Sequence, residues 1–255
     1  MEVLRVKGLS KNFGGLQVLQ ELSFTVEAGT KLAIIGPNGA GKTTLFNVLS
    51  GQLPATAGSV YFSGQEITRL PPHRRLHLGL ARSFQINNLF LNLTLIDNML
   101  LALQGAQHPH FQMFRSVNAR TDLLAMAQNL LESMDLWEKR FDPVATLSYG
   151  DQRLLEIAFA LASKPKLLLL DEPTAGLPGA EATAFADTIR NLVEDTTLIF
   201  CAHDMDLVFS LADRIMVLYF GQIITEGTCD EIQCDVRVQE IYLGSGRSSE
   251  NVGSG

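Results

Sequence analysis

The sequence has 255 residues, of which 46% are hydrophobic, so it can form one large or two small domains around a packed core. A formal net charge of −7 argues against a general nucleic-acid-binding protein, which needs a basic face to neutralise phosphates. The three cysteines fit a reducing compartment, and the sequence has neither a signal peptide nor an apolar run near the ~20 residues of a membrane span, so we expect a soluble chain.

Short apolar runs between turn residues fill the first 30 positions and predict a small antiparallel sheet. Phe13 lies in this region, beside the flexible pair Gly14 and Gly15. An aromatic side chain in this place is either part of the core or a flat surface on which adenine stacks. The residues alone leave both interpretations of Phe13 open.

A glycine-rich loop follows a buried strand predicted at 32–35 and precedes a helix predicted at 44–49. The loop fits the pattern G-x-x-x-x-G-K-[ST], in which backbone N–H groups and the N-terminus of the next helix converge on phosphates. Lys42 would add a positive charge, and Thr43 would offer a hydroxyl to Mg²⁺. The sequence therefore predicts a nucleotide-phosphate site, the P-loop, made of Gly36, Pro37, Asn38, Gly39, Ala40, Gly41, Lys42, Thr43 and Thr44.

Gln85 ends a strand predicted at 80–85, which follows a strand at 58–64 and a short helix beginning near Pro71. A polar residue at the carboxyl end of a strand lies where α/β sheets bind their ligands. Gln85 is therefore a candidate ligand-contacting residue.

The segment 86–146 has helical periodicity. Thr94 is the predicted N-cap of its first helix, and a second helix is predicted around 123–134. His108 and His110 lie between these helices and are either solvated loop residues or metal ligands. We favour the solvated interpretation, because no carboxylate or cysteine accompanies them.

Ser148 begins the next predicted helix, either as an ordinary N-cap or, together with the Gly150 N–H, as a phosphate contact. An apolar strand at 167–170 follows and ends in Asp171 and Glu172. Two adjacent carboxylates at the end of a buried strand are costly unless they meet a cation or a polar site. We therefore predict that Asp171 holds Mg²⁺ and that Glu172 polarises the attacking water, as in P-loop nucleotide hydrolases.

His203 stands at the carboxyl end of another buried strand, at 197–202. A lone histidine is usually structural, but this one is in register with Gln85 and Asp171 at the ends of predicted strands, which favours a functional role. Two further strands, a final helix at 230–243 and a Gly/Ser-rich flexible tail at 245–255 complete the prediction.

In this order, the motifs resemble the ATP-binding subunit of ABC transporters over essentially the whole chain, to about Gly244. Within that superfamily, the sequences GLARSFQ at 79–85, YGDQRLLEIA at 149–158, AGL at 175–177 and HDM at 203–205 look like the branched-chain amino acid uptake group. Related members of that group serve urea, amides or other small solutes.

The resemblance implies an α/β fold of the P-loop NTPase type, with a parallel-sheet core, an antiparallel β-subdomain and an inserted α-helical subdomain. It implies a single ABC ATPase domain over 1–244. The catalytic core would comprise 1–85 and 165–244, and the helical subdomain would cover about 86–164.

The resemblance also implies roles for residues that the pattern alone leaves open. Phe13 would stack on adenine, with Val18 beside the base. Gln85 would contact Mg²⁺ and the lytic water while it senses the partner subunit.

Across a head-to-tail dimer, Ser148 and Gly150 would reach the γ-phosphate of ATP held by a second ATPase subunit, identical or related, and His203 would close on the same phosphate. Two positions depart from the family pattern. Asp151, next to this phosphate contact, stands where glutamine is common. Pro178 stands where the loop after the acidic pair usually has aspartate or asparagine, and we expect it to weaken cross-subunit hydrogen bonds and lower basal turnover.

The implied activity is ATP hydrolysis that powers import of branched-chain amino acids or a related small polar solute. The implied cofactors are ATP and Mg²⁺. The implied partners are transmembrane permease subunits and, indirectly, a solute-binding protein, with no nucleic acid. The chain would lie peripherally on the cytoplasmic face of the inner membrane.

Other classes fit the sequence less well. A small-molecule kinase shares the P-loop but does not need the Ser148 signature. A chromosome or repair ATPase needs a long coiled-coil insertion between Gln85 and Ser148, where only about sixty residues stand. ABC proteins that act on ribosomes usually carry two such domains. An ABC exporter or lipid-transport ATPase is the alternative within the class.

Overall fold

The computed structural model describes residues 1–83, 89–107 and 117–246. Within them the chain forms two β-sheets with helices packed against both. The strands are Glu2–Phe13 (β1), Leu16–Glu27 (β2), Lys31–Ile35 (β3), Ala57–Phe62 (β4), Gln65–Glu66 (β5), Leu80–Arg82 (β6), Leu167–Asp171 (β7), Thr197–Cys201 (β8), Arg214–Tyr219 (β9) and Gln222–Gly227 (β10).

The larger sheet has the strand order β10-β9-β3-β8-β7-β6. All neighbours in it are parallel except β10, which runs antiparallel to β9. Every residue of β7 and β8 is buried, as expected for parallel strands covered on both faces. Because parallel strands end at the same edge, the residues that follow β3, β7 and β8 lie near one another, which confirms the predicted parallel core.

The smaller sheet is antiparallel, with the order β2-β1-β4-β5. The short apolar runs predicted for the first 30 residues are in fact two strands of 12 residues each. The pairing of β1 with β2 shifts register around Gly8, whose φ is +57°, so a bulge bends β1 without ending it. The antiparallel sheet itself is confirmed.

The helices of the described residues surround the larger sheet, and none of them is both long and apolar enough to cross a membrane. The helix that begins after Pro178 was absent from the predicted elements, although its buried stripe of Ala182, Phe185 and Ile189 has helical spacing. The helices are Lys42–Ser50 (α1), Pro72–Leu78 (α2), Leu95–Gln107 (α3), Val117–Glu132 (α4), Tyr149–Ala162 (α5), Gly179–Leu192 (α6), Met205–Leu211 (α7), Cys229–Cys234 (α8) and Val236–Gly246 (α9).

One predicted strand is too long, and one predicted helix is divided. The strand predicted at 80–85 ends at Arg82. The single C-terminal helix is two helices, because the Asp235 carboxylate accepts the Arg237 N–H at 2.9 Å and so starts α9 afresh. Gln85 and the histidines at 108 and 110 lie outside the described residues, as does the tail from 247 onward.

Two hydrophobic clusters lie on opposite faces of the larger sheet. One joins β1, β2 and β4 to α1 and includes Phe46 and Phe62. The other joins α3, α4 and α5 to the sheet's second face, and includes Met99 and Phe200. The P-loop helix is therefore anchored in a different core from the helices around α5.

Arg75 on α2 is one of the largest fully buried side chains, with 2% exposure. Its guanidinium donates to the carbonyl oxygens of Val48 and Leu49 at 2.8 and 2.7 Å, and to those of Leu70 and Thr68 at 2.9 and 3.0 Å. Burial lowers the pKa of Arg75 to about 10, so the group stays protonated at neutral pH. A cation at the carboxyl end of α1 also complements the helix dipole.

Replacing Arg75 with lysine should lower the free energy of unfolding by about 2 kcal/mol, because one ammonium group cannot serve four carbonyl oxygens and buried unpaired acceptors are costly. A fall of roughly 6 °C in the thermal midpoint is expected by calorimetry. The neighbouring Arg74 is exposed, so Arg74→Lys is the matched control. Equal midpoints for the two variants would contradict the role given to Arg75.

Candidate nucleotide site

The P-loop connects β3 to α1, and its lysine is the first residue of the helix. Lys42 has only 6% exposure, and its Nζ donates to the Gly36 oxygen at 2.6 Å and to the Pro37 oxygen at 3.2 Å. Burial lowers its pKa, while Cys201, Glu172 and Asp171 act in the opposite direction. An ammonium group held by two loop carbonyls can exchange these acceptors for phosphate oxygens.

The glycines of the P-loop are required by the backbone that lies behind them. A Cβ on Gly36 would stand 2.1 Å from the Leu218 oxygen, and one on Gly41 would stand 3.1 Å from the Val18 oxygen. The φ angles of these glycines are +153° and +107°. The Gly221 N–H also donates to the Ala40 oxygen at 2.9 Å. Strands β2 and β9 thus limit the shape of the loop on its buried side. On its other side, Asn38, Gly39 and Thr43 are exposed to solvent, and Thr44 is half-buried.

Phe13 is 47% exposed at the end of β1, so it is not a core residue. The Lys11 ammonium lies 5.0 Å from the centre of its ring. Val18 is half-buried, and its carbonyl contacts the back of the P-loop as described above. The β1–β2 hairpin thus carries the exposed ring of Phe13 and, through Val18, lies behind the P-loop, an arrangement that suits a base and its phosphates.

Asp171 ends β7 with a side chain that is fully buried and held on both oxygens. Its Oδ2 accepts from Arg82 Nη2 at 2.8 Å, and its Oδ1 accepts from the Cys201 thiol at 2.8 Å. Burial is the main cause that raises the pKa of the Cys201 thiol, and the negative charge of Asp171 is the second. The thiol therefore stays protonated and donates. A carboxylate can accept about four hydrogen bonds or metal contacts, so Asp171 has capacity left for a cation.

Glu172 follows at once, with φ at +48°, a left-handed conformation that is uncommon for a non-glycine residue. Its N–H donates to the Cys201 oxygen at 2.9 Å, which fixes the backbone. The Glu172 Oε1 and His203 Nε2 atoms are 3.1 Å apart, and both side chains are partly exposed. A carboxylate and an imidazole in contact at a sheet edge can orient water and move a proton.

Ser148 caps α5, one of the two interpretations that the sequence left open, since its Oγ accepts the Asp151 N–H at 3.1 Å. The Asp151 carboxylate accepts from Lys139 Nζ at 2.7 Å, so its charge is balanced before any phosphate arrives. Ser148, Gly150 and Asp151 line a cavity of about 450 Å³ bounded by α6. In the described part of the chain, no hydrogen bond joins these residues to the P-loop.

The fold thus brings together the P-loop, Asp171, Glu172 and His203. The start of α5 contacts the loop after Glu172, where the Tyr149 hydroxyl donates to the Ala175 oxygen at 3.3 Å. Reasoning from sequence missed two participants: Arg82, in the strand predicted at 80–85, and the thiol of Cys201, in the buried strand predicted at 197–202. A charged residue directly after Leu80 and Ala81 in a predicted strand was the available signal for Arg82.

A glycine-lined anion site follows β3, and an acidic pair ends β7, two strands away at the same edge of the parallel sheet. This combination defines a P-loop nucleotide-binding protein. A model of the ABC transporter family matches residues 19–175, and the chain belongs to that family as an ATP-binding subunit, an ATPase coupled to transport.

Curated relatives match almost the whole chain. It is 36% identical over 253 residues to the high-affinity branched-chain amino acid transport ATP-binding protein BraF of Pseudomonas aeruginosa. The match covers 95% of this chain and 98% of BraF. It is 34% identical to a probable branched-chain amino acid transport ATP-binding protein, LivG, of Archaeoglobus fulgidus, with 96% of each chain covered.

Solved structures with a similar fold also belong to ABC transporters. An ATP-binding cassette of an ABC transporter in its ADP conformation has a TM-score of 0.82 and 32% identity, over 96% of this chain and 99% of that one. The cbiO1 protein of Clostridium perfringens, part of an ABC transporter complex, has a TM-score of 0.79 and 26% identity, over 97% of both chains. These comparisons confirm the predicted family and fold class.

Proposed function

We propose that this chain hydrolyses ATP as one half of a head-to-tail dimer and thereby powers import of branched-chain amino acids or a related small polar solute. The observation that carries this proposal is the division of the site. The P-loop, Asp171, Glu172 and His203 meet at one sheet edge, whereas no hydrogen bond of the described residues joins Ser148 or Gly150 to the P-loop. A second subunit in the opposite orientation would supply the missing side.

The P-loop would bind the β- and γ-phosphates of ATP. Lys42 would leave the two loop carbonyls for phosphate oxygens, and the free N–H groups at the start of α1 would add hydrogen bonds, since Gly41 offers no side-chain cap. Phe13 would stack on adenine with Val18 beside it. A cation over the opposite face of the ring, as Lys11 provides, keeps the aromatic plane oriented.

The donor set at this edge fits Mg²⁺, a hard cation that prefers oxygen and typically takes one or two protein ligands besides phosphate. Thr43 would offer its exposed hydroxyl and Asp171 its remaining carboxylate capacity; the resemblance adds Gln85. When bound, the ion would neutralise charge on the phosphates.

Glu172 would orient and polarise the attacking water, and His203 would hold the Glu172 carboxylate and contact the γ-phosphate. Their separation of 3.1 Å permits one hydrogen bond between them and leaves the other carboxylate oxygen for water. This division of roles follows from position: Asp171 is buried and held, while Glu172 is partly exposed at the cradle's edge.

The partner subunit would place its Ser148 hydroxyl and Gly150 N–H on the γ-phosphate, and so make closure of the dimer depend on ATP. The Lys139–Asp151 ion pair supports this, because it removes the repulsion that an unpaired carboxylate would exert on phosphate. Pro178 is the N-cap residue of α6 and makes no side-chain cap hydrogen bond. It would not supply the cross-subunit hydrogen bonds that the resemblance implies for aspartate or asparagine at this position.

The solute assignment rests on the relatives, whose names specify branched-chain amino acids. The permease subunits would bind in a groove of about 510 Å³ between α2 and the helices α3 and α5, lined mainly by apolar side chains such as Leu76 and Phe159. The chain would then lie on the cytoplasmic face of the membrane, with a solute-binding protein on the other side.

The test is to isolate the membrane complex through a tag on this chain, identify its subunits and reconstitute it in vesicles with its solute-binding protein. Leucine, isoleucine and valine, or a related small polar solute such as urea or an amide, should raise ATP hydrolysis. Absence of any co-purified membrane subunit would contradict the role in transport. Stimulation by another solute would overturn only the solute, and transfer of phosphate to a small molecule would favour the kinase alternative.

Replacing Phe13 with alanine should weaken ATP binding about tenfold, because stacking of a base on an aromatic ring contributes about 1–3 kcal/mol. Binding of a fluorescent ATP analogue measures the effect. Phe141 is the matched control: it is 67% exposed and also faces a cation, Arg140, at 4.7 Å. If Phe141→Ala weakens binding as much as Phe13→Ala, Phe13 is not the base contact.

A further inference from the structure

We propose that Arg82 is a positioning residue for the magnesium site: its guanidinium links the P-loop helix to Asp171 and so fixes the two groups that would share one cation. The inference rests on the proposed function, since it concerns the same Mg²⁺. None of the motifs in the sequence assigns a role to this arginine.

Arg82 donates hydrogen bonds both to Asp171 and to residues in or just after α1. Nη2 donates to Asp171 Oδ2 at 2.8 Å. Nη1 donates to Asn47 Oδ1 at 2.6 Å on α1, and to Gln52 Oε1 at 3.0 Å and Ser50 Oγ at 3.2 Å near the end of that helix. One planar group therefore connects α1, which begins with Lys42 and Thr43, to the end of β7.

Burial makes this connection rigid. The side chains of Arg82 and Asp171 have 7% and 0% exposure, so water does not compete for the pair. The second oxygen of Asp171 is held by the Cys201 thiol, which leaves the carboxylate little freedom to rotate. A lysine in place of Arg82 would keep the charge but could not donate in two fixed directions.

The arrangement predicts a specific consequence. Thr43 lies at the start of α1 and Asp171 at the end of β7, and these elements belong to different parts of the chain. Partners that orient a metal ligand typically change metal affinity by about 10–100-fold when they are removed. Loss of the Arg82 link should therefore weaken Mg²⁺ binding and leave metal-free ATP binding nearly unchanged.

The experiment uses the full-length chain and two binding measurements. The dissociation constant of ATP is determined with Mg²⁺ and with EDTA, and binding of Mn²⁺ to the ATP-loaded protein is followed by electron paramagnetic resonance. Arg82→Lys should reduce the gain in ATP affinity that Mg²⁺ provides by about tenfold and weaken Mn²⁺ binding similarly. The dissociation constant in EDTA should change less than twofold.

Arg75→Lys is the matched control, because Arg75 is also a buried arginine bonded to α1 but has no contact with Asp171. It should lower stability without a change in the Mg²⁺-dependent gain. If Arg82→Lys does not fold, Asn47→Ala removes the shortest anchor of the guanidinium on α1 and should reduce the same gain by a smaller factor.

The inference would be overturned if Mg²⁺ raised ATP affinity in Arg82→Lys as much as in the wild type. It would also be overturned if Arg75→Lys lost as much of this Mg²⁺-dependent increase as Arg82→Lys. The wild-type protein separates this outcome from failure of the proposed function. If Mg²⁺ does not strengthen ATP binding in the wild type, the metal assignment itself is wrong. If it does so in the wild type and equally in the Arg82 variant, only the role of Arg82 is wrong.

Discussion

Replacing Lys42 with alanine should lower ATP affinity by about two orders of magnitude and abolish measurable turnover. Lys42 Nζ has two acceptors in the P-loop, and in the complex each would be replaced by a charged phosphate oxygen. Hydrogen bonds to charged groups contribute about 1.5–3 kcal/mol each, so loss of two corresponds to roughly 100-fold or more. Equilibrium binding of radiolabelled ATP measures the loss directly.

The control for this variant is Lys31→Ala. Lys31 starts β3, the strand that ends at the P-loop, and its Nζ donates to the Glu194 oxygen at the opposite edge of the sheet. ATP affinity in Lys31→Ala should stay within twofold of the wild type. Unchanged ATP affinity in Lys42→Ala would remove the basis for placing phosphates in this loop.

Replacing Glu172 with glutamine should reduce ATP hydrolysis by about 1,000-fold while ATP still binds, because general-base catalysis contributes some 10²–10⁴-fold. The amide has nearly the same shape, so its oxygen can keep the position beside His203 Nε2. With hydrolysis blocked, the closed form should accumulate. Size-exclusion chromatography with light scattering should then detect a dimer in Mg²⁺ and ATP.

Glu226→Gln serves as the comparison for Glu172→Gln. Glu226 is a partly buried carboxylate on β10 that pairs with Arg214 at 3.3 Å. Its neutralisation should leave both hydrolysis and the monomer–dimer distribution unchanged. A Glu172→Gln protein that remains monomeric with ATP would refute the two-subunit site, and one that hydrolyses ATP normally would show that the base lies elsewhere.

Short-range patterns were enough to predict much of this molecule. The P-loop, the acidic pair and His203 each follow an apolar strand, and the parallel arrangement of those strands then places them at one edge. The cap at Ser148 was equally readable, because capping involves residues only three positions apart. Local rules therefore suffice where the chemistry is local.

The contact between Arg82 and Asp171 could not be predicted in the same way. The two residues are 89 positions apart, and their meeting depends on the pairing of β6 with β7. The same limit applies to Phe13, whose two interpretations differ only in exposure, a property that emerges from packing. Helix α6 was missed because its first turn is marked by proline and glycine, residues that also signal loops.

The P-loop depends on backbone from other strands, so its sequence alone is not enough to rebuild it in another protein. Gly36 and Gly41 are confined by the carbonyl oxygens of Leu218 and Val18, which belong to strands distant in sequence. Grafting residues 36–44 onto the strand–helix junction of another scaffold would transfer the glycines and leave behind the surfaces that confine them. The transplanted loop would be free to sample many shapes, so an anion would have to order it on binding, and affinity would fall. A P-loop that keeps its phosphate affinity in another scaffold needs the facing segments of β2 and β9 as well.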